Sequence, residues 1–230
     1  MSTVAILIDG GFFQKKAHSL WGAASPEVRA NQLMAYCRRH LYKRDHLYRI
    51  FYYDCPPSSK IVYHPLLKKQ INLGKTDEYT WMTAFLESMK TKRKVALRLG
   101  RLSDNGLAYN IKPDIAKKLC AGAITVDQLT EQSFTLNIIQ KGVDMKLGVD
   151  IASVAYKRQV NKIFLIAGDS DFVPAAKLAR REGIDFVLDP MGSPIADDLK
   201  EHIDGIVSPR FDPNIDPIHE EDPDDSSSDE

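Results

Sequence analysis

Cysteine is scarce in this chain and long apolar runs are missing. Its 230 residues include only Cys37, Cys55 and Cys120, scattered, odd in number and without a Cys-x-x-Cys pair. That pattern excludes a disulfide framework and a zinc ribbon, and it fits a reducing compartment. The first apolar run, Val4 to Ile8, is interrupted by Asp9, and no run reaches the length of a membrane span. Neither a signal peptide nor a membrane contact is expected, so the chain reads as a cytoplasmic protein. No Gly-x-Gly-x-x-Gly follows a predicted strand, no His-Glu-x-x-His occurs, and the six histidines lack ligand spacing. Gly74-Lys75-Thr76 ends like a phosphate-binding loop, but Lys69 stands where that pattern needs its first glycine. Ser170 has neither the Gly-x-Ser-x-Gly elbow nor a histidine nearby in sequence, which removes support for a serine nucleophile.

What is present is carboxylate at the ends of apolar runs. Ile163-Phe-Leu-Ile-Ala167 stops at Gly168 and is followed by Asp169-Ser-Asp171, and Val4-Ala-Ile-Leu-Ile8 runs into Asp9-Gly10-Gly11. Short continuous apolar runs suit strands buried on both faces, as in parallel sheets covered by helices. Such sheets hold ligands beyond the carboxyl ends of their strands. If the chain stays extended through Ser170, Asp169 and Asp171 point to one side, with a helix starting near Phe172. A third acid, Asp144, opens a helix over about 144–157.

Alternation of helices and strands after residue 144 predicts an α/β fold with a parallel sheet. Further strands are expected at 47–53, 95–99 and 184–188, and helices at 26–42, 64–90, 172–182 and 194–202. Asp54, before Cys-Pro-Pro, reads as a loop acid. Asn105-Gly106 predicts a β-hairpin insertion, and residues 113–140 hold at most short helices. The domain is expected to span 1–207, followed by a disordered acidic tail over 208–230. Asp212 to Glu230 contains nine acids and no Lys or Arg. The remaining 22 acids against 31 bases give residues 1–211 a charge of about +9, a possible footprint for a polyanion.

Clustered carboxylates suit a hard divalent cation, Mg²⁺ or Mn²⁺, which prefers oxygen ligands and is usually shared with substrate phosphate. Asp9, Asp144, Asp169 and Asp171 are the candidate ligands and catalytic groups. Asp150, about 240° around the helix from Asp144, either supports the cluster from behind or is simply solvated. Lys141 either contacts phosphate or is merely exposed. Each acid alone has a plain explanation as a turn former, helix cap or first-turn charge. Jointly, those explanations would place one sign of charge at three element ends.

Ile8-Asp9-Gly10-Gly11, Lys141-Gly-Val-Asp144 with Asp150, and Gly168-Asp-Ser-Asp-Phe172 together resemble the NYN domain family of PIN-like nucleases, in its LabA-like branch. The resemblance covers most of residues 1–207 and implies a Rossmann-like, PIN-like parallel sheet. It also implies metal-binding acids at Asp9, Asp144, Asp169 and Asp171, with Asp150 less directly, and a metal-dependent endoribonuclease cleaving single-stranded or structured RNA with a metal-activated water. Many members carry asparagine where this chain has Phe12. The alternative is a catalytically weak nucleic-acid-binding or regulatory module of the same fold. Oligomeric state is left open.

Overall fold

The structure is a computed structural model that describes residues 1–103, 106–195 and 197–216. Asn105 of the predicted turn, Ala196 of the predicted last helix and the acidic run 217–230 lie outside the described residues. In chain order the elements begin with β1 (Thr3–Asp9), α1 (Gly10–Trp21), α2 (Pro26–Arg38), β2 (His46–Asp54), β3 (Ile61–His64), β4 (Lys69–Asn72) and α3 (Asp77–Thr91). There follow β5 (Val95–Leu99), β6 (Arg101–Leu102), β7 (Ala108–Ile111), α4 (Pro113–Cys120), β8 (Phe134–Asn137) and β9 (Gln140–Lys141). The last are α5 (Val143–Tyr156), β10 (Lys162–Ile166), α6 (Val173–Arg181), β11 (Asp185–Asp189), α7 (Asp197–Lys200) and β12 (Gly205–Ile206). The chain divides into two compact units, one of Met1–Asp54, Ala84–Leu99 and Val143–Glu230, the other of Cys55–Thr83 and Gly100–Gly142.

The first unit is the expected α/β body. Its sheet runs β12-β11-β10-β1-β2-β5, parallel throughout. Val4 to Ile8 are fully buried, because β1 lies in the middle of the sheet with both faces covered, and this is why its sequence shows no alternation. Strand order reverses at β1: the chain goes outward through β2 and β5, then returns to build β10, β11 and β12 on the other side. The pair β1/β10 is therefore the topological switch point, where open α/β sheets leave a crevice at their carboxyl edge. Register places Ile8 opposite Ile166 and Asp9 opposite Tyr53, so the ends of β1, β2 and β10 come level.

α2 starts as its sequence dictates, with Ser25 as cap accepting from the amide of Val28 and Pro26 in the first turn. α1, which apolar periodicity did not reveal, buries Phe13 and Ala17 against the body. The predicted last helix contracts to the four residues of α7.

Residues 208–216, counted with the tail in the sequence, lie against the body. Phe211 is buried and packs its ring 4.9 Å from Trp21 and 5.8 Å from Tyr36, both edge-on. Arg39 pairs with Asp216. An aromatic residue among prolines and acids was enough to anchor a segment that composition alone marks as unpacked.

The second unit corrects two expectations. The first third of the predicted helix over 64–90 belongs instead to the antiparallel hairpin β3/β4, with Ile61 opposite Asn72, a 3₁₀ turn follows at Leu73–Lys75, and the α-helix is confined to α3. The strands on either side of Gly106 do not pair with each other: β6 pairs with β9 and β7 with β8, both antiparallel. His64 forms part of this unit's interior, its ring 4.4 Å from Tyr109 and 5.1 Å from Phe134.

Candidate functional site

Asp9 ends β1 and caps α1, its Oδ1 accepting from the amide of Phe12 at 3.1 Å. The capping role that explains this acid on its own is thus real. It does not account for its surroundings. Burial pushes the Asp9 carboxyl above the ordinary carboxylate range, the Phe12 amide opposes that, and the negative charges of Asp144 and Asp169 add to the rise. Asp144, exposed in the first turn of α5, is raised by desolvation and by Asp169 and Asp171. Four acids from three distant stretches of chain therefore share one electrostatic field at the carboxyl edge of the sheet.

Asp169 and Asp171 reach that field differently from the extended arrangement expected. Residues Ser170–Phe172 form a 3₁₀ turn, and Asp169 Oδ1 accepts from the amide of Asp171 at 3.1 Å. The turn brings Asp171 back toward its own strand end instead of continuing it.

Close approach at this edge depends on two glycines. A Cβ on Gly10 would stand 2.6 Å from Asp54 Oδ2 and from Tyr52 Cζ, and one on Gly168 would stand 2.5 Å from the ring of Phe12. Gly10 thus lets a second carboxylate sit beneath the first turn of α1. Asp54 is buried, and accepts from the Tyr52 hydroxyl at 3.0 Å, which in turn accepts from Gln14 Nε2 at 3.3 Å. Burial, then the charge of Asp54, keep Tyr52 protonated. Asp54 is not the loop acid that its Pro-Pro neighbourhood suggested. The signal was there: an aromatic strand ending in aspartate repeats the pattern of β1.

Asp150 has protein partners of its own. Its Oδ2 accepts from Arg98 Nε at 2.7 Å and from the Tyr53 hydroxyl at 2.9 Å, fastening α5 to β5 and β2. Lys141 is an exposed residue of β9 in the second unit, opposite Arg101. Asp189, at the end of β11, is completely buried and saturated: Tyr36 and Ser208 hydroxyls at 2.5 and 2.7 Å, His40 Nε2 at 2.9 Å and the Met191 amide at 2.8 Å. It is a structural node.

The donor chemistry of Asp9, Asp144, Asp169 and Asp171 fits a hard divalent cation, since mutually repelling oxygens gain most from a shared positive charge. The spacing is open: among the described residues no three His, Cys, Asp or Glu side chains are grouped to hold an ion by themselves.

A doubly wound parallel sheet with acids at its switch point defines a Rossmann-like α/β domain. The family described as NYN domain matches residues 84–205, more than half of the chain, and the chain belongs to that family. The family is PIN-like and its members are generally nucleases, which makes nucleic acid the substrate of the class. No curated protein matches. Among solved structures, a protein of unknown function from Vibrio parahaemolyticus is similar at 12% identity, over 90% of this chain and 91% of that one, with a TM-score of 0.47. No helix among the described residues is long and apolar enough to cross a membrane.

Proposed function

We propose that the chain is a Mg²⁺- or Mn²⁺-dependent endoribonuclease whose cation is held by Asp9, Asp144, Asp169 and Asp171. The observation that carries this is that acids from distant stretches act on one another: behind burial, the charges of Asp144 and Asp169 help raise Asp9, and those of Asp169 and Asp171 help raise Asp144. Bound there, a divalent cation supplies charge neutralisation for a phosphodiester and lowers the pKa of water near neutrality. The chain's own groups do the positioning. The Phe12 amide occupies Oδ1 of Asp9, which leaves Oδ2 as the oxygen available to a cation or a proton, and the Asp171 amide does the same for Asp169. Arg and Lys of the body would bind the RNA backbone without reading sequence.

Labelled single-stranded RNA incubated with Mn²⁺ and purified protein tests the proposal. Asp169→Asn is expected to lower cleavage at least about 100-fold, within the range for losing electrostatic stabilisation of a transition state, while the fold is kept. Undiminished cleavage would remove Asp169 from the mechanism. The open spacing of the acids favours one competing outcome, binding without products, as a nucleic-acid-binding module would give.

A further inference from the structure

All strands of the six-stranded sheet run the same way, so its two edges collect different parts of the sequence. The carboxyl edge gathers the acids. The opposite edge receives the connections that lead from helices into strands, and these are basic. Tyr42-Lys43-Arg44 precedes β2, and the same tripeptide, Tyr156-Lys157-Arg158, precedes β10. Lys92-Arg93-Lys94 precedes β5. β2 and β10 flank β1, with His46 opposite Thr3 and Lys162 opposite Val4, so the two identical tripeptides arrive at one end of the same central strand. Two strand spacings separate them, about 10 Å. Beside β10 the row continues into a cleft of about 790 Å³ at the start of β11, lined by Lys177, Arg180, Arg181 and His202, with Asp185 and Asp204 as its carboxylates.

Two features exceed what folding needs. Tyr42, whose ring meets Lys162 Nζ at 5.6 Å, is 67% exposed and Tyr156 63%, although tyrosine usually buries its ring. Arg158 and Lys94 adopt φ of 50° and 59°, the left-handed region that glycine occupies without cost, yet a basic side chain is kept at both. Bases near helix C-termini complement the helix dipole, but that explains neither the exposed rings nor cations placed beyond the last turn.

We propose that this edge is a binding surface for single-stranded nucleic acid, in which Tyr42 and Tyr156 stack bases while Lys43, Arg44, Lys157 and Arg158 hold phosphates. Rings spaced among cations are what a flexible strand needs, since every base has a face to stack and every nucleotide a phosphate. The surface lies roughly 20 Å from the acids, the length of a strand like β1. It extends the nuclease proposal by making the substrate long and unpaired, but binding is measured without cleavage.

The experiment titrates a fluorescent 20-nucleotide oligouridylate with the full chain in EDTA, over a range of salt. The double variant Y42A/Y156A is expected to bind at least about 30-fold more weakly with an unchanged salt slope. Tyr→Phe at both positions is expected to retain affinity, since the ring stacks without its hydroxyl. The variant K43A/R44A/K157A/R158A is expected to lower the slope of log K against log salt by about 2.8, at roughly 0.7 per phosphate contact. These results combined with no cleavage of single-stranded RNA by the parent in Mn²⁺ would end the nuclease proposal and leave this one standing. Parental affinity in the tyrosine and the Lys/Arg variants would overturn it, as would a fall in melting temperature alone, which would assign the bases to the helix dipoles. Phosphatidylserine vesicles competing as well as the oligonucleotide would also overturn it.

Discussion

Asp9 answers two opposed demands. As the cap of α1 it is best ionised, and the Phe12 amide favours that form. As a buried neighbour of Asp144 and Asp169 it is best neutral, and burial is the larger influence. Asparagine satisfies the first demand without the second, because its carbonyl still caps the helix and it carries no charge. Asp9→Asn is therefore expected to raise the melting temperature of the metal-free protein at pH 7 by roughly 2–4 °C, the shift worth about 1 kcal/mol in a chain of this size. Mn²⁺ should raise the melting temperature of the parent more than that of the variant, and equal shifts would show that Asp9 does not face the cation. The pH dependence follows in sign. Asp9 and Asp144 have folded-state values raised from 3.8, so their contribution to stability is complete below that value and is lost as pH rises through the raised values. Protons compete with the cation over the same window, so Mn²⁺ affinity by calorimetry should climb from about pH 4 toward neutrality. A flat profile would mean that these acids do not bind it.

The junction of β1 with α1 is the element on which the site turns. Helix and strand meet there without a loop, which is possible only because Gly10 lets the Tyr52–Asp54 pair approach the helix backbone. Gly10→Ala would drive a methyl group into buried, hydrogen-bonded side chains, and overpacking of that kind costs about 1–3 kcal/mol. Gly168→Ala meets only the ring of Phe12, a partly exposed side chain with solvent on one side, so its cost is expected to be smaller. Urea denaturation of the two variants checks the order, and a reversed order would refute the packing argument.

The strands at this junction were legible for a physical reason. Val4–Ile8 and Ile163–Ile166 are buried on both faces, so an unbroken apolar run was the correct signature, and Asp9 and Asp169 were visible as the acids ending it. α1 was hidden because only Gly10, Phe13 and Ala17 are buried along it, two of them small. The β3/β4 hairpin was hidden because each strand has four residues, too few for alternation to outweigh the apolar spacing that α3 continues. Asp54 and the buried Asp189 have partners distant in sequence, Tyr36 lying 153 residues before Asp189, and no local pattern announces such a bond.

At the scale of the whole molecule the parallel sheet separates charge. Asp9, Asp169 and Asp171 stand at one edge and the repeated Lys-Arg pairs at the other, because helix-to-strand and strand-to-helix connections fall on opposite sides. Residues 217–230 contain seven acids and no Lys or Arg, which leaves 24 acids against 31 bases and about +7 on residues 1–216. That acidic run follows directly on Asp216, which pairs with Arg39, three residues before Tyr42 in the sequence. Opposite charges joined by so short a tether have a high effective concentration, so the run should compete with RNA for the basic surface. Truncation is best placed after Asp216, because a cut at residue 208 would also remove Phe211 from its contacts with Trp21 and Tyr36 and confound binding with stability. The chain 1–216 is expected to melt at the same temperature as the parent and to bind single-stranded RNA more tightly at 50 mM salt. The advantage should shrink as salt approaches 1 M, where the screening length falls to about 3 Å. Equal affinity of the two chains at low salt would show that the acidic run does not compete with RNA for the basic surface.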